Sequence, residues 1–508
     1  MMTTKEDIER VLWDASGSFR GKIDSGKYKD YILSMLFVKY LSDAIKQEKE
    51  DLKEKYGSDV ERINRALQRG RFFVPDDATF EYLYNHRKDS DIGSKINIAL
   101  KAIENANGGK LRSIFGQIDF NSQELGDTKD KVALLNNVLQ DFSKIDLRPK
   151  QLENDDAIGN AYMYMLAQFA SDAGKKGGEF YTPEEVSTVL AKIVEPKEND
   201  RIYDPTCGSG SLLIKAFKEV NNRKAQIYGQ ERNFQTWGLA RMNMFIHNID
   251  DAIIYQGDTI ANPQNIENGK LMQFQKIVAN PPFSLDKWAN GYASDTNDKD
   301  FKMSKDLDIY KRFDWGIPPK SNGDYAFILH MLHCLDNNGK MAVIMPHGVL
   351  FRGSSEGDIR KKIIEFNLLD AVIGLPVNLF YGTSIPACIL VFKKGRTNHD
   401  VLFIDASKEY AKGKNQNKLR EEDIDKIVKT YKERKKDVPK YSHRADFDEI
   451  KGNDFNLNIP RYVDTFEEDA PIDINQVMKD IDTLEGQRKL LDDEINKYLA
   501  ELGIKLEK

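Results

Sequence analysis

Asn280-Pro281-Pro282-Phe283 sets an amide, two rigid carbonyls and an aromatic ring side by side. Such a set can grip a planar group that carries an amino function. The apolar run Lys276–Ala279 before it reads as a buried β-strand. Two consecutive prolines fix φ twice and remove two donors, so the strand must end there. The residue before a proline is pushed to extended geometry, which leaves Asn280 on a stiff loop at the strand's carboxyl end. In an open α/β sheet that is where ligands bind. On these four residues alone, a plain strand stop with a buried Phe is an equal alternative.

Three further strand ends carry polar groups. Asp200–Tyr203 predicts a strand, Asp204-Pro205-Thr206-Cys207-Gly208-Ser209-Gly210 a tight glycine turn, and Ser211–Val220 an amphipathic helix. Glycines there let the backbone approach a ligand closely. A second strand, Ala225–Gly229, ends at Gln230-Glu231, where a carboxylate suits two ribose hydroxyls. A third, Ala252–Gln256, ends at Gly257-Asp258, within reach of a purine edge. Taken singly, Asp204 and Asp258 also read as turn or helix caps, and Glu231 as a solvated helix start. In series, Asp204, Glu231, Asp258 and Asn280 converge on one sheet edge. The spacing departs from G-x-G-x-x-G and no P-loop lysine is present, which argues against nicotinamide and ATP.

These groups need elements to hold them. Residues 1–150 read as a charged helical domain, with Tyr28, Ile32, Leu36 and Leu41 at near-helical intervals behind Asp24 or Ser25 as cap. A glycine- and lysine-rich loop, Asp172–Gly178, leads into Glu179-Phe180-Tyr181-Thr182-Pro183, where Thr182 is predicted to cap a helix through Val186, Val189 and Ile193. Residues 151–400 make the α/β part, its last strands at Leu369–Ile373 and Ala387–Phe392. Ser284–Gly323 predicts a long mobile loop, with Lys302, Lys305, Lys311, Arg312 and Lys320 as candidates for phosphate contacts. Residues 401–472 read as an extended region that holds one more strand at Val401–Asp405. In residues 473–508, Val477, Ile481, Leu484, Leu491, Ile495, Tyr498 and Leu502 mark a helix that packs on another helix.

Composition narrows the class. At 508 residues, with 40% hydrophobic and 31% charged, the chain has a soluble globular balance and no apolar run that would span a membrane. Three scattered cysteines and seven histidines show neither a disulfide framework nor metal-ligand spacing, so no metal is expected and a reducing cytoplasm fits. A net charge of −6 argues against a wholly basic nucleic-acid binder, yet a basic face or a partner could still carry phosphate contacts.

The residues Asp204-Pro-Thr-Cys-Gly-Ser-Gly210 with Asn280-Pro-Pro-Phe283 resemble the S-adenosylmethionine-dependent amino-group methyltransferases that make N6-methyladenine in DNA. More closely, the chain resembles the methylation (M) subunit of type I restriction-modification systems, over most of its length. Tyr28-Lys29-Asp30-Tyr31, Gly178–Pro183, Arg241-Met242-Asn243-Met244, Gly323–Phe327 and Leu375–Phe380 carry that likeness too. The resemblance implies a Rossmann-like α/β methyltransferase domain between a helical leader and a helical tail. It implies a site-specific, adenine-specific enzyme, with S-adenosyl-L-methionine held by Glu179, Phe180, Tyr181, Thr182, Asp204, Thr206, Gly208, Ser209, Gly210, Glu231 and Asp258. Asn280, Pro281, Pro282 and Phe283 would be the catalytic turn. DNA and a separate specificity (S) subunit, with two M subunits per S subunit, are the implied partners, and an endonuclease/translocase (R) subunit is a further candidate. The rivals are a stand-alone DNA adenine methyltransferase, a protein glutamine methyltransferase, whose fourth residue is usually Tyr, and a non-catalytic cofactor-binding scaffold.

Overall fold

Short apolar runs alternate with amphipathic segments after residue 180, and each run becomes a strand of one open sheet. The structure, a computed structural model, describes residues 2–173, 181–295, 301–381, 385–435, 437–465 and 473–503. The strands are β1 (Arg201–Asp204), β2 (Gln226–Glu231), β3 (Ile253–Gln256), β4 (Phe274–Ala279), β5 (Leu335–Pro346), β6 (Leu369–Gly374), β7 (Ala387–Lys393), β8 (Asp400–Asp405), β9 (Asp437–Val438) and β10 (Ser442–Asp446). Across the sheet they lie in the order β9-β10-β8-β6-β7-β5-β4-β1-β2-β3. From β5 to β3 all neighbours are parallel, and β7 runs antiparallel to both β5 and β6.

The chain passes from β1 outward to β2 and β3, then returns to the other side of β1 as β4. That reversal makes the carboxyl ends of β1 and β4 a topological switch point, where an open sheet leaves a crevice. Register fixes what faces it. Tyr203 pairs with Ile277, Asp204 with Gly229, and Glu231 with Gln256, so the residues that follow each last pair share one edge.

Residues 400–446 do not form an extended region. β8 pairs parallel with β6, β10 antiparallel with β8, and the helix Glu421–Glu433 buries Ile424, Ile427 and Val428 in the core on one sheet face. Val401, Leu402, Phe403 and Ile404 are all buried, as a strand covered on both faces requires.

The helices Lys5–Gly17, Ser25–Tyr56, Ile92–Ala106, Thr128–Phe142 and Ala157–Ala173 share a separate apolar core. Asp24 caps the second of them, its carboxylate accepting from the Gly26 amide at 2.9 Å. By packing, Ala157–Ala173 sides with this helical layer although it lies beyond residue 150. Leu239, Met242, Phe245 and Ile246 of the helix Phe234–Ile246 enter the same core, so the layer sits directly on the sheet's own helix. Arg71 reinforces the seam, donating to Asp250 and to the Phe245 carbonyl. Residues Asp464–Lys508 form a second unit, whose helix Ile474–Glu501 is capped by Asp473 and leaves Val477, Ile481, Leu484 and Leu491 exposed. Among the described residues no helix is long and apolar enough to cross a membrane.

Candidate active site

Asn280 stands one residue past β4, buried, on the stiff loop that its prolines dictate. Its Nδ2 donates to Thr182 Oγ1 at 3.0 Å, and its Oδ1 is buried with no protein partner. Thr182 is therefore not the helix cap that its position suggests. The helix Glu184–Val194 starts behind Pro183 with no side-chain cap, and the Thr182 hydroxyl serves the Asn280 amide instead. Behind the turn, the Ser284 amide donates to Asp324 Oδ1 at 2.7 Å, and Asp324 is ion-paired with Arg352. The Gly323-Asp324 pair thus braces the turn from outside it. Phe283 is half-buried and meets Phe380 edge-on, with ring centroids 6.1 Å apart.

On the β1 side, Asp204 Oδ1 accepts from the Thr206 amide at 2.9 Å, while Oδ2 is buried without a protein partner. Burial pushes the Asp204 carboxyl up to about 8, and the nearby Glu231 charge acts in the same direction. Gly208 and Gly210 take φ of +53° and +81°, and a Cβ on Gly210 would lie 2.6 Å from Met244 Cε. The left-handed φ favours glycine at both positions. Asn243 holds the turn by donating to the Ser209 carbonyl at 2.8 Å. Glu231 Oε2 accepts from the Gly208 amide at 3.0 Å and Oε1 from the Asn233 amide at 2.7 Å, which ties the end of β2 to the glycine turn. Asp258 Oδ1 accepts from the amides of Ile260 and Ala261, and Arg232 lies 3.7 Å from its Oδ2.

One cavity of about 780 Å³ joins these groups. Asp204, Thr206, Gly208 and Ser209 form one part of its wall; Glu231, Asp258, Asn280 and Pro282 form another; Tyr181 and Thr182 close a side. Gly210, Pro281 and Phe283 are not among its lining residues. Glu179 and Phe180 lie outside the described residues. The size suits a nucleoside-bearing ligand with a second group beside it. Sequence reasoning did not find the wall that Lys29 and Phe169 supply from the helical layer, nor Trp288 and Tyr381. No spacing marks them, because only the packing of distant helices brings them there.

The basic residues after Phe283 do not all stand free. Arg312 and its partner Asp308 each expose 1% of the side chain and lie 2.7 Å apart, so Arg312 is out of reach of any phosphate. Lys302, Lys305, Lys311 and Lys320 are exposed.

Comparison with known proteins decides the lineage. The model of the N-6 DNA Methylase family matches residues 153–470. The chain belongs to this family. The methylase also carries an HsdM N-terminal domain, matched over residues 8–142. It is 31% identical to the type I restriction enzyme MpnII methylase subunit of Mycoplasma pneumoniae, over 98% of this chain and 97% of that one. Against the MjaVIII methylase subunit of Methanocaldococcus jannaschii it is 32% identical, over 98% and 85%. The crystal structure of a type I restriction-modification methyltransferase subunit from Streptococcus thermophilus superposes with a TM-score of 0.79 at 36% identity, covering 91% of the methylase and 100% of that chain. The methylase is an M subunit of a type I system and an adenine-specific DNA methyltransferase. Family and fold imply S-adenosylmethionine as its methyl donor, with DNA and other restriction-modification subunits as partners.

Proposed function

We propose that the cavity seats S-adenosylmethionine against Asp204, Glu231 and Asp258 and receives, at Asn280, an adenine turned out of the duplex. The observation that carries this reading is the buried Asn280 Oδ1: an acceptor without a protein partner, on the same cavity as three carboxylates. A buried acceptor left open is costly unless a ligand completes it.

The residues fit the cofactor. Asp204 Oδ2, buried and unpaired, matches the ammonium of its methionine part. Glu231 has acceptor capacity for ribose hydroxyls beyond the two amides it already serves, since a carboxylate offers about four lone-pair sites. Asp258 Oδ2 faces the purine end, and Tyr181 and Thr182 close the methionine end. When bound, S-adenosylmethionine supplies an electrophilic methyl group on a sulfonium.

The adenine 6-amino nitrogen is a poor nucleophile because its lone pair is spread into the ring. Asn280 Oδ1 and the Pro281 carbonyl accept its two hydrogens, which localises the lone pair and aims it at the methyl group. Thr182 accepts from Nδ2, which leaves Oδ1 for the base. Phe283 stacks on the extruded ring, a contact worth roughly 1–3 kcal/mol. Exposed Lys302, Lys305, Lys311 and Lys320 meet phosphates. The site is chosen by a specificity subunit that holds two methylase chains.

Asn280→Ala tests the core of this. Cofactor binding should persist while the rate of N6-methyladenine formation falls by about 10²–10³. A near-normal rate would remove Asn280 from the mechanism. Methylation at one defined site by the methylase alone, equal to that with a specificity subunit added, would instead favour a stand-alone enzyme.

A further inference from the structure

Among the described residues, the most enclosed ion pair is one that the proposed chemistry does not touch. Arg312 and Asp308 lie on the segment after the catalytic turn, each with 1% of its side chain exposed. Asp308 takes Nε and Nη2 of Arg312 through both oxygens and accepts from the Arg312 amide at 2.6 Å. A pair this deep gives little net stability over apolar packing of the same volume, so what it contributes is geometry. The planar fork has donors left over, and two of its contacts fall on one turn. Arg312 Nη1 donates to the Thr259 carbonyl at 3.3 Å and Nη2 to the Ile260 carbonyl at 2.6 Å. Tyr292 donates its hydroxyl to the same Ile260 carbonyl at 2.9 Å and accepts from Arg312.

Those two carbonyls belong to the turn that sets Asp258. The Ile260 and Ala261 amides, at 2.9 and 3.1 Å, hold Asp258 Oδ1 and so decide where Oδ2 points. Gly291 presses on the same turn: a Cβ there would come 2.5 Å from Ala261 Cβ and 3.4 Å from Asp258 Oδ2. On its other side Arg312 Nη1 donates to His330 Nδ1 at 3.0 Å. Nδ1 is then an acceptor, which places the His330 proton on Nε2, facing the Tyr203 hydroxyl at 3.2 Å. Tyr203 is the residue before Asp204. A single buried chain of directed hydrogen bonds therefore runs from the Asp258 turn to the strand that presents Asp204.

We propose that Arg312 is a positioning residue: through Thr259 and Ile260 it aims the Asp258 carboxylate at the cofactor's purine amino group, and so makes the segment after the catalytic turn part of cofactor selection. The inference rests on the reading that Asp258 takes that amino group. Lysine cannot reproduce the fork, because its ammonium is one point donor on a flexible stem.

The test is calorimetric titration of the full chain with S-adenosylhomocysteine and with its counterpart lacking the purine 6-amino group. In Arg312→Lys, S-adenosylhomocysteine should bind about tenfold more weakly, and the ligand without the amino group within about twofold of wild type. Tyr292→Phe, which keeps the ion pair and so keeps the test if the lysine variant fails to fold, should act in the same direction by about threefold. Equal losses for both ligands, or no loss, would mean that the network only supports the fold, and would overturn the proposal. Asp258→Asn separates the two levels. If it discriminates between the ligands as wild type does, the purine assignment of Asp258 falls and the proposal with it. If it loses discrimination while both network variants keep theirs, only the role of Arg312 falls.

Discussion

At the scale of single residues, two buried atoms without protein partners define the site, and each gives a measurable consequence. Thr182→Val removes the acceptor for Asn280 Nδ2 and frees the amide to turn. We expect the methylation rate at saturating cofactor to fall by about tenfold, because the orientation of Asn280 is lost even where the cofactor is bound. Asp204 gives a pH signature. Its carboxyl is raised by burial to about 8, against 3.8 for an ordinary aspartate, so the folded apo protein holds this proton more tightly than the unfolded chain. Its contribution to stability is then full below the unfolded value and is lost as pH rises through about 8. A cation at Oδ2 favours the ionised form, so cofactor binding should release a proton and tighten as pH rises from about 6 to about 8.5. In Asp204→Asn that dependence should be absent, as calorimetry in buffers of different ionisation enthalpy would read. The four strand-end residues were legible because strand, turn and polar residue follow one another in sequence. The Thr182–Asn280 bond was not, since its partners lie 98 residues apart and a Thr-Pro pair reads as a helix start.

At the scale of elements, the central strands were legible and the sheet's far side was not. Apolar runs such as Ile277–Ala279 announce themselves, whereas Glu421–Glu433 hides its buried Ile424, Ile427, Val428 and Tyr431 among charges. Lys426, Lys429 and Lys432 are the solvent face of a helix packed on the sheet. Ile427→Ala should lower stability by about 2–4 kcal/mol in a denaturant titration and leave cofactor affinity unchanged. A change within about 0.5 kcal/mol would return the segment to the surface. The segment after Phe283 erred the other way. Its polar residues suggest mobility, but Asp308 and Arg312 are polar because they pair with each other and with buried carbonyls, a distinction that composition does not make.

At the scale of the whole molecule, the apolar seam of Ile474–Glu501 has no cover among the described residues of its own unit. If the helix forms part of the contact with the specificity subunit, deleting the residues after Asp473 should weaken co-purification while cofactor binding by the remaining chain persists. Undiminished co-purification would place that contact elsewhere. The helix Phe234–Ile246 carries a different consequence. It gives Ala240 and Met244 to the core beneath the sheet, and Leu239, Met242, Phe245 and Ile246 to the core of the helical layer. Two family models meet between residues 142 and 153, so the sequence parts there as though two modules had been joined. The interior does not part. A lineage that shed the leading module would bare four large apolar side chains beside the loop that Asn243 steadies, and would have to rewrite that helix in the same step. The two modules share one helix between their cores.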